Sequence, residues 1–301
     1  VIQDPYSPDL ESKIHEMKSH VENISSPKIM IVGANASALE MIYQIKNNFD
    51  LNKKITFKVL SPQGKLPGLF IKDKETDFFA KHLQNLDSSD GSICADQILD
   101  ALKADLKFAD ERNYEISDTL PQFTEHVGNL IKKLSKDEKL KFVSFHGLEI
   151  GRLQRRAGYE YTLPIDELKE TRSIEMISGF LETVILTDDG IGHAQYWNDE
   201  GILYESFDIL INCSGSAGLA NKNLSGLFSE LLETNICSLS SSGHGYSVGN
   251  KFEVCDGFYI NGPLLAGNIV GSMGIWHVEH CGRIMSFAKE ISQNISRNIF
   301  S

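Results

Sequence analysis

Apolar residues along the chain fall into two patterns, short unbroken runs and longer stretches with helical spacing. Lys28-Ile-Met-Ile-Val32 is an unbroken run that stops at Gly33, the pattern of a parallel strand covered on both faces. Over 36–46 the apolar positions Ala38, Leu39, Ile42 and Ile45 recur at helical spacing, and 54–60 gives a second strand. Together they predict a compact βαβ unit of about 33 residues. Ahead of it, Asp4-Pro5-Tyr6-Ser7-Pro8 favours extended backbone, and 12–24 predicts a short surface helix. Helical periodicity then dominates 78–86, 93–107 and 119–134.

Strand patterns return afterwards. Candidates are 140–145, 173–186 as one or two strands closing on a Thr187-Asp188-Asp189-Gly190 turn, and 193–197 and 201–204 around Asn198-Asp199-Glu200. A buried-type strand follows at 207–212, then one at 257–260 running into Asn261-Gly262-Pro263, and a helical tail over 276–299. The expected fold is α/β: a Rossmann-like nucleotide-binding domain with a helical insertion, then a β-meander and a closing strand–helix. The expected segments are 1–27 (linker and opening helix), 28–74 (Rossmann-like βαβ), 75–139 (helical insertion), 140–250 (return of the nucleotide domain with the meander) and 251–301 (closing part).

Composition narrows the function classes. The 301 residues are 41% hydrophobic and 23% charged, an ordinary globular balance, and the length suits two domains or one with an insertion. With 29 basic and 41 acidic residues the net charge is −12, which disfavours a nucleic-acid surface. No run of about 18 apolar residues is present to span a membrane. Asp4, Asp9, Glu11, Glu16 and Glu22 interrupt the first 25 residues, unlike a secretory signal. Cys94, Cys213, Cys237, Cys255 and Cys281 are widely spaced without a CxxC, which reads as reduced thiols rather than a disulfide framework or a zinc knuckle. These features predict a cytoplasmic protein acting on a small molecule, with no metal, nucleic-acid or membrane partner.

The first candidate site is Gly33-Ala34-Asn35-Ala36-Ser37-Ala38-Leu39-Glu40, after a buried strand and opening a helix. Gly33 permits the tight turn, and the small Ala36 and Ser37 let backbone approach a pyrophosphate at the helix N-terminus. Asn35 and Ala38 stand where the GxGxxG fingerprint has its second and third glycines, and a plain strand–helix turn would give the same pattern. The second strand ends in Ser61-Pro62-Gln63-Gly64-Lys65, without the acid that holds a ribose 2′-hydroxyl in NAD sites. Ser61, Gln63 and Lys65 tolerate a 2′-phosphate, so NADPH is slightly favoured over NADH.

Three further segments carry a resemblance. Asp208-Ile-Leu-Ile-Asn212-Cys213-Ser214-Gly215 precedes Gly257-Phe-Tyr-Ile-Asn261-Gly262-Pro263-Leu264, and Asp4-Pro5-Tyr6 precedes the glycine motif. In this order they resemble bacterial FAD/NAD(P)-binding oxidoreductases related to flavin-dependent monooxygenases. Val32 to Glu40 is similar to that family's "V-x-G-x-G-x-[ST]-x-x-D/E", and Ser61 to Pro67 to its "S-R-R-G-x-L-P" with Pro62 and Gln63 replacing both arginines. The resemblance implies that NAD(P)H passes a hydride to a flavin, and that 251–301 completes a flavin domain with Asn261, Gly262 and Pro263 beside the cofactor. It also implies an upstream FAD-binding unit, so FAD would bind only with that half present. The chain begins at Val1, and reads as a truncated piece.

No catalytic side chain is assigned, since HExxH, Ser–His–Asp and paired-carboxylate patterns do not stand out, and a flavin supplies its own chemistry. On a helix His277 and Cys281 would face the same way, as a zinc pair does, although packed or surface histidines are the commoner case for them and for His244. A non-catalytic nucleotide-binding or protein-interaction module with a degenerate site is the alternative function. A flavin-free dehydrogenase would need a catalytic set that no spacing suggests.

Overall fold

In the computed structural model the residues described are 1–49, 55–71, 74–187, 191–215, 218–221, 224, 226–278 and 280–300, with backbone only for 298–300. They divide into two compact units, Val1–Asp73 with Arg155–Ser216, and Lys74–Gln154 with Ala217–Ser301.

The first unit is built on a parallel sheet. β1 (Lys28–Val32) pairs with β2 (Thr56–Ser61), which pairs in turn with β3 (Ile174–Ser178). An antiparallel meander follows, β4 (Phe180–Leu186), β5 (Gly192–Asn198) and β6 (Gly201–Phe207). β7 (Ile209–Asn212) then returns to the free side of β1, giving the order β3-β2-β1-β7. Ile2 extends this edge, its N–H donating to the Leu210 carbonyl at 2.8 Å.

The unbroken apolar run of β1 has a direct cause. Ile29 and Ile31 bury against α1 (Leu10–Glu22), α2 (Ala36–Asn48) and the helix Tyr159–Glu170. Met30 and Val32 bury on the other face with Leu60, Ile177, Ala194, Tyr196 and Phe207, so the meander covers that side. Gly179 separates β3 from β4. Its N–H donates to the Ser61 carbonyl at 3.0 Å, and a Cβ there would sit 2.7 Å from the Tyr196 ring. A two-residue parallel ladder, Gly68–Leu69 with Arg156–Ala157, ties the loop after β2 to the return of the chain into this unit.

In the second unit the helices Lys81–Asp87, Ala95–Glu111 and Ile116–Lys133 bury Leu83, Leu102, Phe123 and Leu130 in one core. Residues 140–145 do not form the expected strand. Lys136–Lys141 is helical, Phe142–His146 is a π turn, and Gly147–Leu153 continues as helix. Phe142 and Val143 bury in the helical core, and a short apolar run has the same composition in either state. The closing helix is Cys281–Phe300 and begins later than its periodicity suggested. His277 therefore lies outside it, and the helical pairing with Cys281 does not form. The expected strand at 257–260 is reduced to Phe258–Tyr259, paired antiparallel with Glu253–Cys255. The proposed turn at 188–190, the start of the second strand at Lys54, and Glu279 lie outside the described residues.

No described helix is long and apolar enough to cross a membrane.

Candidate functional site

From β1 the chain runs outward through β2 to β3, then crosses back to β7. The strand order thus reverses between β1 and β7, and the carboxyl ends of these two strands flank the crevice where open α/β sheets bind ligands. Gly33 stands at the end of β1 and Cys213 at the end of β7. Gly33 has φ +101°, and a Cβ there would overlap the Cys213 carbonyl and lie 2.7 Å from the Ser214 nitrogen. The Gly33 N–H donates to the Leu60 carbonyl and the Cys213 N–H to the Val32 carbonyl, at 2.8 and 2.7 Å, so the turn is locked to both neighbouring strands.

α2 opens directly from this turn. Its side-chain cap is missing, since Asn35 in the N-cap position makes no cap hydrogen bond, and no acid stands in the first turn. α1 and the helices Lys81–Asp87 and Tyr159–Glu170 likewise lack a side-chain cap hydrogen bond, whereas Ala95–Glu111 and Ile116–Lys133 carry capping boxes. Ala36 is exposed and Ser37 is buried. The leading N–H groups of α2 and its dipole favour an anion here. Asn35 Oδ1 is buried without a hydrogen-bond partner, an acceptor held dry beside the turn.

Two residues that the glycine pattern did not single out complete the crevice. The Tyr6 hydroxyl donates to Glu40 Oε2 at 2.8 Å, and Ser37 lies beside both Tyr6 and Cys213. Burial, then the Glu40 carboxylate, pushes the Tyr6 hydroxyl pKa above its ordinary value. Burial pushes the Cys213 thiol up to about 12, against the opposing Ser37 bond. Cys213 is therefore a packed thiol rather than a nucleophile at neutral pH. Asp4-Pro5-Tyr6 was visible in the sequence; its contact with Glu40 is tertiary and had no local signal.

The loop after β2 lies at the same sheet edge, because Val32 and Leu60 are in register. Ser61 is buried, and its Oγ accepts the Gly64 N–H at 3.1 Å. Gln63 and Lys65 are exposed. The structure thus gathers Gly33, Asn35, Ala36, Ser37, Ser61, Gln63 and Lys65 along one edge of one sheet.

Asn261, Gly262 and Pro263 belong to the second unit. Asn261 Oδ1 accepts the Gly262 N–H at 2.7 Å and its Nδ2 donates to the Ile284 carbonyl at 3.0 Å. Gly262 has φ +76° and begins a 3-10 turn, Gly262–Leu265, with Pro263 as its second residue. Among the described residues no cluster of His, Cys, Asp and Glu is arranged to hold a metal ion.

No protein-family model matches the chain. Uncharacterised proteins of Mycobacterium bovis and of two Mycobacterium tuberculosis strains are 26% identical over a 302-residue alignment, which covers 98% of this chain and 56% of each of them. The chain spans about half the length of these curated relatives. Three solved structures resemble it at low identity. FAD-bound DfoA, the cadaverine monooxygenase of the desferrioxamine pathway of Erwinia amylovora, has a TM-score of 0.45 at 12% identity, over 95% of this chain and 54% of its own. The lysine monooxygenase NbtG of Nocardia farcinica has 0.44 at 12%, over 93% and 54%. The ornithine N-hydroxylase KtzI of Kutzneria sp. 744 has 0.45 at 13%, over 93% and 57%.

Proposed function

We propose that the sheet-bearing unit binds NAD(P)H, and that the chain is the C-terminal portion of an FAD- and NAD(P)H-dependent oxidoreductase of monooxygenase type. One observation carries this reading: an α2 N-terminus without a side-chain cap opens from Gly33 at the point where strand order reverses. A dinucleotide pyrophosphate is the ligand that such an arrangement suits.

The residues present fit that group at the pyrophosphate. Ala36 and Ser37 are small and the first turn carries no acid, while Asn35 Oδ1, an acceptor, can bond only a donor and not the diphosphate oxygens. At the ribose Ser61 is buried, with its Oγ accepting the Gly64 N–H, and Gln63 and Lys65 are exposed polar groups of the loop. A dihydronicotinamide bound there supplies a hydride for flavin reduction. The chain's own part is to hold the diphosphate on the α2 N–H groups and to offer Asn35 Oδ1 to a donor. In the second unit the Asn261 amide is committed to its own turn and to Ile284, so 261–263 would meet a flavin through backbone.

Titration of the chain with NADPH and NADH, followed by calorimetry, tests the nucleotide site, and absence of heat for both sinks it. Asn35 in place of a glycine favours a second reading, a nucleotide-binding module without chemistry. Anaerobic mixing of the full-length parent protein with NADPH separates the two, because only an oxidoreductase bleaches a bound flavin.

A further inference from the structure

The antiparallel meander of the first unit has two faces. Ala194, Tyr196 and Phe207 pack with Met30 and Val32 of β1, and Val184 and Leu203 are partly buried beside them. Side chains alternate along a strand, so the intervening residues stand on the opposite face. The register sets them in rows across β4, β5 and β6, the first being Phe180–Trp197–Ile202. Behind it run Thr183–Gln195–Tyr204 and Ile185–His193–Ser206. The first row is wholly apolar, and its Phe180 and Trp197 rings stack with centroids 4.5 Å apart and 16° between their planes. Phe180, Trp197, Ile202, Tyr204 and Ile185 are nonetheless 46, 47, 58, 59 and 45% exposed. No residue of the three rows is Asp, Glu, Lys or Arg, in a chain of net charge −12. Glu182, the extra residue of a bulge between Leu181 and Thr183, accepts from Gln195 Nε2 at 2.7 Å.

We propose that this face is the contact between two copies of the chain, packed sheet on sheet about a two-fold axis parallel to the strands. Such an axis lays each row on its own copy, so the apolar row meets an apolar row and the polar positions meet polar ones. Charge selects the occupant. A basic partner would need acids on the face, and a nucleic acid or an anionic membrane would need Lys or Arg, and the rows hold none of these. Two acidic copies repel at charged surfaces, whereas here they meet without facing charges. The area fits as well. Half-exposed side chains of this size offer together on the order of 500 Å². With the polar positions of the same rows the face approaches the roughly 800 Å² that each partner gives to a standard interface. Edge-to-edge pairing through β4 is the poorer route, because the bulge bends and twists that strand. The contact does not depend on what the crevice at Gly33 binds.

Sedimentation velocity of the chain across the micromolar range tests the contact. The expected result is a monomer–dimer equilibrium with a midpoint on the order of 10 µM, the weak end for an interface of standard size. Added salt should tighten it, because screening relieves the repulsion between two acidic copies. Ile202→Lys/Tyr204→Lys places like charges on facing rows and should raise the midpoint by at least about tenfold, with the melting temperature at low concentration unchanged. Both side chains are more than half exposed, so the fold does not rest on them. If the double variant melts early, Ile202→Ser and Tyr204→Ser are run separately, and a midpoint unchanged in both overturns the contact. A chain that stays monomeric, a dimer that dissociates in salt, or a dimer that the lysines leave intact overturns it too. So does a full-length parent protein that stays monomeric or whose dimer ignores the same substitutions, since the face would then belong to another part of that longer chain.

Discussion

The backbone carbonyl of Cys213 occupies the space that a side chain on residue 33 would need. Gly33 is thus set by the approach of β7 to β1 as much as by any ligand, and its φ of +101° lies where side chains are strained. Gly33→Ala should unseat the turn and cost on the order of 3–5 kcal/mol, the range of backbone strain combined with overpacking. Denaturant unfolding measures it, and a loss below about 1 kcal/mol would show that the two strands part easily.

Ala36→Asp separates helix stability from ligand binding, because the two should move in opposite directions. Ala36 is exposed in the first turn of α2, where a carboxylate favours the helix by about 0.3–1 kcal/mol. The same charge facing a pyrophosphate should weaken NAD(P)H by about 1–3 kcal/mol, roughly 5- to 150-fold. Melting temperature and calorimetric affinity measured on one preparation decide it. Unchanged affinity would move the site away from this turn.

Asp118 should make the helical unit acid-sensitive. Burial raises its pKa, but the Glu115 N–H at 2.8 Å and the Lys74 ammonium at 3.0 Å outweigh that and hold it below the ordinary 3.8. A folded pKa below the unfolded one means stabilisation present above about pH 4 and lost as pH falls through the folded value. Asp87, held low by Lys133, His126 and Asn129 against its own burial, acts in the same direction. Asp118→Asn should cost about 1–3 kcal/mol at pH 7. The gap between wild type and variant should narrow toward pH 3 in urea titrations, and a gap that widens would contradict the sign.

Thiol labelling should sort the cysteines by environment. Cys255 and Cys281 are exposed, whereas Cys213 is buried with its pKa pushed up to about 12. At pH 8 the Cys213 thiolate fraction is then on the order of one in ten thousand. Peptide mapping after brief alkylation should find Cys255 and Cys281 modified and Cys213 intact until denaturant is added. Rapid labelling of Cys213 in the native chain would place an opening at the end of β7.

The core of the sheet-bearing unit could be read from the sequence because its signals are local. The run ending at Gly33 is β1 with the expected bounds, and helical spacing from Ala36 marks α2. Residues 140–145 misled because burial, which Phe142 and Val143 share with strand residues, is a tertiary property that gives no direction to the backbone. The edge shared by Gly33 and Ser61 followed from the βαβ reading, since adjacent parallel strands bring their ends together. The contact of Tyr6 with Glu40, 34 residues away, and the pairing of Gly68 with Arg156 were not legible. Both join segments with no common periodicity, and only the folded chain brings them to one place.

The ladder between Gly68–Leu69 and Arg156–Ala157 also bears on the order of events during synthesis. It pins together the departure and the return of the segment Lys74–Gln154, so the sheet-bearing unit has all its parts once β7 has left the ribosome. The helices of 74–154 are by then already made, yet Ile269 and Trp276, which pack against their core, are still untranslated. A ribosome passing through this interval carries one finished body and one with its apolar side uncovered. Chaperone occupancy on stalled nascent chains should therefore peak between release of β7 and release of the closing helix.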